Sequence, residues 1–223
     1  MSDLLFYDAA YPPARKPAGV QDGVAFYIGG DTPHVWTLQE INAQNVRYRL
    51  PIFVRSNPPG PGALADVTLA HGQLQAIGAP RGCLVAWDME TSDDPAYVAA
   101  VYGLLLAAGY KLIVYGSQNF VMGNLNPDGL YWGAQWTNVP HLVTGDVMTQ
   151  YVSLTGYDES EGISTLPFWD TKPLPKPAPS PNIPPIPPGR WLDGVLTGRG
   201  MDSSLWTTVF HAGHGWTNPV KQP

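Results

Sequence analysis

The chain has 223 residues and a formal net charge of −6, with 44% hydrophobic and only 13% charged residues. That length supports one substantial domain plus an appendage, and the negative charge argues against a nucleic-acid partner and against an electrostatic hold on an anionic membrane. No apolar run of about 18 residues occurs, so nothing reads as a membrane span, and the one cysteine, Cys83, excludes a disulfide framework.

Residues 1–8 have neither a basic start nor a long apolar core, so they read as a first strand (4–8) and not as a cleaved leader. Further strands are predicted at 24–28, 48–54, 83–88, 112–115, 130–135 and 147–152, each a short apolar run. Helical patterns lie at 36–45, 63–77, 95–108 and, briefly, 117–124. Three of these helices should stop at Asn45, Gly78 and Gly109, residues that accept the left-handed conformation of a helix cap, and a strand follows each. Asp94-Pro95 opens the third helix with a capping acid and a proline at the first helical position. Strand, helix, cap and strand in repetition define a parallel α/β domain. Seven to eight strands favour a closed, TIM-type barrel. The connections after Tyr115 are too short for long helices, so the barrel over residues 1–170 is expected to be irregular, with helices mainly in its first half.

Such barrels carry chemistry at the C-terminal ends of their strands. Here those ends hold Asp8, Gly29-Gly30-Asp31, Arg55-Ser56-Asn57, Asp88 with Glu90, Tyr115-Gly116-Ser117, Gln135-Trp136 and Gln150-Tyr151. The run Leu84-Val85-Ala86-Trp87-Asp88-Met89-Glu90 says most. Acids at i and i+2 of a strand share one face, with Cα atoms about 6.6 Å apart. Two carboxyls in one pocket cannot both ionise freely, and that separation into an acid and a base is what glycoside hydrolysis uses. The plain alternative is a solvated strand end ahead of a helix N-terminus, where negative charge is favourable anyway. Cys83, in the same apolar run, reads as a small buried hydrophobe. No Gly-x-Ser-x-Gly elbow, phosphate loop or histidine-rich strand end is present, so no cofactor or metal is implied.

Beyond the barrel the composition changes. Nine of the 24 prolines fall between Pro173 and Pro188, so residues 171–189 read as an extended proline-rich linker. Residues 190–223, with Trp191, Trp206, Phe210 and Trp216, are too few to hold a core alone. They are expected to dock on another chain and make a homo-oligomer or larger assembly. His211 and His214 lack the acid or cysteine partners of a metal site.

Several of these motifs, taken in order, resemble the family 25 glycoside hydrolases, lysozymes that cut between N-acetylmuramic acid and N-acetylglucosamine. They are still more similar to the related glycoside-hydrolase-like domain family of actinobacteria and their phages. Tyr7-Asp8-Ala9-Ala10 with Pro12-Pro13 looks like the first-strand motif, and Phe26-Tyr27-Ile28-Gly29-Gly30 like the second. Trp36-Thr37-Leu38-Gln39-Glu40 is similar to the first-helix signature of the hydrolase-like family, and Asp88-Met89-Glu90 to the Asp-x-Glu motif. Val114-Tyr115-Gly116-Ser117, Trp132-Gly133-Ala134-Gln135-Trp136, Gln150-Tyr151 and Tyr157-Asp158 resemble the remaining motifs. The resemblance implies Glu90 as general acid, with Asp88, Asp8 and Asp158 around the cleaved bond. It implies Tyr115, Trp136 and Tyr151 as a stacking floor, with Gln150 beside them. It also implies a cell-wall glycan as substrate, and a phage product that acts at the bacterial wall from the virion or after lysis. The competing reading is a tail component that keeps the hydrolase fold and binds carbohydrate without cutting it.

Overall fold

The computed structural model describes residues 3–13, 16–20, 22–56, 62–89, 94–123, 126–172, 194–199, 205–211, 215–216 and 220–221. The chain divides into two compact units, Met1–Pro173 and Leu174–Pro223. In the first, the chain order is β1 (Leu4–Ala9), β2 (Gly23–Gly30), α1 (Leu38–Ala43), β3 (Tyr48–Val54), α2 (Ala63–Ala76), β4 (Leu84–Asp88), α3 (Pro95–Ala108), β5 (Lys111–Ser117), α4 (Gln118–Gly123), β6 (Tyr131–Ala134), β7 (Met148–Leu154), β8 (Tyr157–Gly162) and β9 (Trp169–Asp170).

The helices form where local chemistry starts and stops them. Thr37 and Glu40 close a capping box at α1: the Thr37 N–H donates to Glu40 Oε2 at 2.7 Å and the Glu40 N–H to Thr37 Oγ1 at 3.3 Å. Asp94 caps α3 by accepting from the Tyr97 N–H at 2.9 Å, with Pro95 at the first helical position. Asn45, Gly78 and Gly109 all take positive φ, 49°, 73° and 89°, as the expected stops require.

Strands β1 to β7 run parallel and pair in sequence. Strand β8 then pairs antiparallel with both β7 and β1 and closes an eight-stranded barrel. The irregular TIM-type barrel is thus the observed fold, and its helices do fall early, since among the described residues of the first unit no helix follows α4. The closing strand departs from the all-parallel pattern. Its sequence, Tyr157-Asp-Glu-Ser-Glu-Gly162, has polar residues on both faces, so hydropathy gives no strand signal there. β9 adds antiparallel to the start of β3. Just beyond it the Thr171 N–H donates to the Arg47 carbonyl, and Arg47 pairs with Asp170 at 2.7 Å, so contacts to the barrel run past residue 170.

Two cores result. Inside the barrel lie Leu4, Phe6, Ala25, Leu50, Ile52, Leu84, Ala86, Ile113, Trp132 and Met148. Gly23 exists to admit one of them, because a Cβ there would stand 2.2 Å from the Phe6 ring. The larger outer core fills the space between barrel and helices, with Val24, Phe26, Phe53, Val85, Trp87, Leu105 and Leu112. Cys83 is buried in it, and burial pushes its thiol up to about 12.

One polar cluster is set into that outer layer. The buried Arg55 guanidinium, just past β3, donates through Nε to Asp66 Oδ2 at 3.0 Å, through Nη2 to Asp66 Oδ1, and through Nη1 to Asp31 Oδ1 at 3.1 Å. The Tyr97 hydroxyl donates to Asp66 at 2.6 Å and accepts from the Trp87 indole at 3.2 Å. Asp31 also accepts the Ser56 N–H at 2.9 Å. One cation therefore ties together the rims of β2 and β3, helices α2 and α3, and strand β4.

In the second unit, β10 (Gly194–Arg199), β11 (Leu205–His211), β12 (Gly215–Trp216) and β13 (Val220–Lys221) form a four-stranded antiparallel sheet, with β11 pairing to each of the others. The proline-rich segment 173–188 lies outside the described residues.

Removing Arg55 leaves Asp66 charged and buried. Arg55→Met is expected to lower unfolding free energy by about 3–5 kcal/mol. The double variant Arg55→Met/Asp66→Leu should recover much of that loss. Urea denaturation of the three proteins measures both, and equal losses in single and double variants would show that packing, not charge, sets the cost.

Candidate active site at the barrel mouth

Alternation along each strand decides which side chains reach the mouth. On β1 the inward positions after Leu4 and Phe6 end at Asp8, and on β4 those after Leu84 and Ala86 end at Asp88. The same period of two brings Tyr27 of β2, Tyr115 of β5 and Gln150 of β7 to this level. Strand β8 runs the other way and contributes Asp158 and Ser160 from its beginning. A column of apolar side chains is therefore capped by a layer of acids, an amide and phenols, at the C-terminal ends of the parallel strands.

Within this layer Asp8 and Asp158 are direct cross-strand partners, and Asp88 stands in register with Tyr115. Asp8 and Asp88 are both buried. The Tyr115 hydroxyl donates to Gln150 Oε1, reaching from β5 to β7. The Gln150 amide, the Ser153 hydroxyl and the Leu154 N–H in turn hydrogen-bond Asp158. Burial raises the pKa of Asp158 above the usual carboxylate range, and these three hydrogen bonds offset part of the rise. The Trp132 indole donates to Ser160 Oγ at 3.1 Å one layer below. Among the described residues no three His, Cys, Asp or Glu side chains come close enough to hold a metal ion.

A cleft of about 400 Å³ opens on this layer, lined by Asp8, Tyr11, Tyr27, Ser153, Tyr157 and Asp158 among others. It combines two carboxyls with aromatic faces, the make-up suited to a polyhydroxylated ring.

Of the residues singled out in the sequence, Asp8, Asp88, Asp158, Tyr115 and Gln150 come together at the mouth. Trp136 lies past the end of β6 and is 69% exposed. Tyr151 does not join them. It is the extra residue in a bulge, where Gln150 faces Ser160 but Val152 already faces Glu159. Its side chain turns to the outer face of the sheet and its hydroxyl donates to Glu159 Oε2 at 2.8 Å. Glu90, two positions beyond Asp88, lies outside the described residues.

Three aromatic residues in the cleft, Tyr11, Tyr27 and Tyr157, were not among the expected site residues. Tyr27 has the inward parity of Ala25, so counting by twos along the second strand would have found it. Tyr11 lies in a loop with no periodic signal. It stacks on His34 with centroids 5.3 Å apart and planes 21° apart, and His34 is in turn held by Glu40 at 3.1 Å.

The sequence matches no family model, and it matches none of the curated proteins. Solved structures do resemble it. An uncharacterized protein of B. stearothermophilus superposes with a TM-score of 0.60 at 16% identity, covering 73% of this chain and 97% of its own. The spore cortex lytic enzyme SleM of Clostridium perfringens gives 0.52 at 12% identity, over 92% and 76% of the two chains. The modular Cpl-1 endolysin, in complex with a peptidoglycan analogue, gives 0.51 at 14% identity, over 96% and 64%. These likenesses are of fold: the chain shares the barrel of these structures.

Asp158 offers a test of the acidic layer. A carboxyl whose folded-state pKa is raised contributes stability only while protonated. That contribution is complete below the unfolded carboxylate range and is lost as pH rises through the raised value. Asp158→Asn removes the ionisation cost and sets an amide opposite Asp8, so the variant should be more stable than the parent by about 1 kcal/mol at neutral pH. The difference should shrink toward zero in acid. Melting curves at a series of pH values measure it, and a variant less stable at neutral pH than in acid, relative to the parent, would refute a raised pKa.

Proposed function

We propose that this protein is a peptidoglycan-directed glycoside hydrolase of the muramidase type, phage-encoded, with Glu90 as general acid. The observation that supports this most is the acidic layer itself. Three carboxyls, Asp8, Asp88 and Asp158, are held at the top of an apolar barrel interior, where ionised groups are costly unless chemistry uses them. Glu90 follows Asp88 at the spacing that keeps both acids on one side of an extended chain. The likeness to SleM and to the Cpl-1 endolysin in complex with a peptidoglycan analogue points to the same substrate class.

In this reading Glu90 protonates the glycosidic oxygen as the bond breaks. Asp8, Asp88 and Asp158 stabilise the positive charge that develops on the sugar and orient its N-acetyl group or the attacking water. Burial raises the pKa of Asp158, which favours its holding a proton beside Asp8. Tyr115, held by Gln150, and the cleft residues Tyr11 and Tyr27 offer ring faces to the sugars, with Trp136 as an outer contact. The second unit, a small four-stranded sheet, acts in this reading as the module that joins the barrel to a homo-oligomer or a larger particle.

Turbidity of purified cell walls tests the reading. The intact protein should clear the suspension, and Glu90→Gln should slow clearing about a hundredfold or more while leaving the melting curve in place. A folded parent that binds walls without clearing them would favour the non-catalytic glycan-binding component. Undiminished clearing by the variant would remove Glu90 from the chemistry.

A further inference from the structure

A second hollow lies on the opposite side of the same strands. Loops cover part of the outer face of β7, β8 and β1. Between the loop segment Ala18–Val20 and the segment holding Asn138 and Pro140 these loops leave a groove of about 500 Å³. Its floor is Leu5 of β1, Tyr151 and Val152 of β7, and Glu159 of β8. Its far wall is Leu154, which also lines the acidic cleft, so the turn from β7 to β8 is the ridge between the two hollows.

The lining of this groove is selective in kind. Leu5, Val20, Pro140, Val152 and Leu154 supply apolar walls, and the charged group among the lining residues is the Glu159 carboxylate. That carboxylate is fixed in place by the Tyr151 hydroxyl at 2.8 Å, which occupies one oxygen, Oε2. Alternation after the inward Gln150 puts the Tyr151 ring on this outer face, and the bulge there brings Val152 to the same face, opposite Glu159. An apolar slot with a positioned carboxylate at its base suits a cation on an aliphatic stem. A neutral hydrocarbon would offer the carboxylate no counter-ion, and an anion would be repelled.

We propose that this groove binds the alkylammonium side chain of a peptide-borne diamino acid, its methylenes against Val20, Val152 and Pro140 and its ammonium on Glu159. The inference rests on the glycan reading only for the carrier. A wall glycan lying in the acidic cleft would pass its attached peptide over Leu154 into the groove.

Two small probes test this on the full chain by NMR of the backbone amides. Nα-acetyl-lysine amide should shift Gly19, Asn138 and Glu159, and the uncharged norleucine counterpart should bind about tenfold more weakly, the factor expected for one charge-assisted hydrogen bond. Glu159→Gln should abolish the preference for lysine. Equal binding of the two probes, no shifts at these residues, or a lysine preference that survives the substitution would each overturn the proposal. The comparison of probes on the parent protein stands even if the variant does not fold. A chitin oligosaccharide titrated separately reports on Asp8 and Asp158, so a failed glycan reading and a failed amine site give different results.

Discussion

A sheet of parallel strands from β1 to β7 has two open edges, and one short strand takes up the hydrogen-bonding groups of both. β8 does this by running antiparallel to β7 on one side and to β1 on the other. Closure fixes the inside and the outside of every strand at once, because side chains can only alternate between the two. The apolar column inside, the acidic layer at its top and the groove on its outer face all follow from that one constraint. The closing strand itself serves both faces: Asp158 and Ser160 turn inward, Glu159 and Glu161 outward.

This explains why β8 is so polar, and also why it left no trace in hydropathy. The parallel strands could be read because they are buried on both faces and appear as continuous apolar runs. The helices could be read because their ends are chemically marked, by Asp94-Pro95 and by Asn45, Gly78 and Gly109. Asp8, Asp88, Tyr115 and Gln150 were legible from their place at strand ends. Tyr151 was misplaced for a plain reason: the residue after an inward Gln150 faces outward, as counting by twos along β7 would have shown, and the bulge only adds Val152 to that outer face. Tyr11 escaped for a different reason, since loop residues have no period to count.

The Arg55 cluster shows how the rim is kept in shape. The loops after β2 and β3 are tied through Asp31, which accepts from the Arg55 guanidinium on one oxygen and from the Ser56 N–H on the other. Arginine suits the task because its fork can meet two carboxylates at fixed angles. With Tyr97 and Trp87 completing the chain of hydrogen bonds, the strand ends that surround the mouth are braced from behind, on the side away from the cleft.

Cys83 has a use that its burial makes available. It is the only thiol in the chain, it is packed in the outer core, and burial holds it in the protonated form that does not react. A thiol reagent can therefore modify the molecule only after that packing has opened. The rate of labelling under native conditions becomes a clock for transient opening of the layer between barrel and helices, with no probe to be engineered and no competing site to correct for.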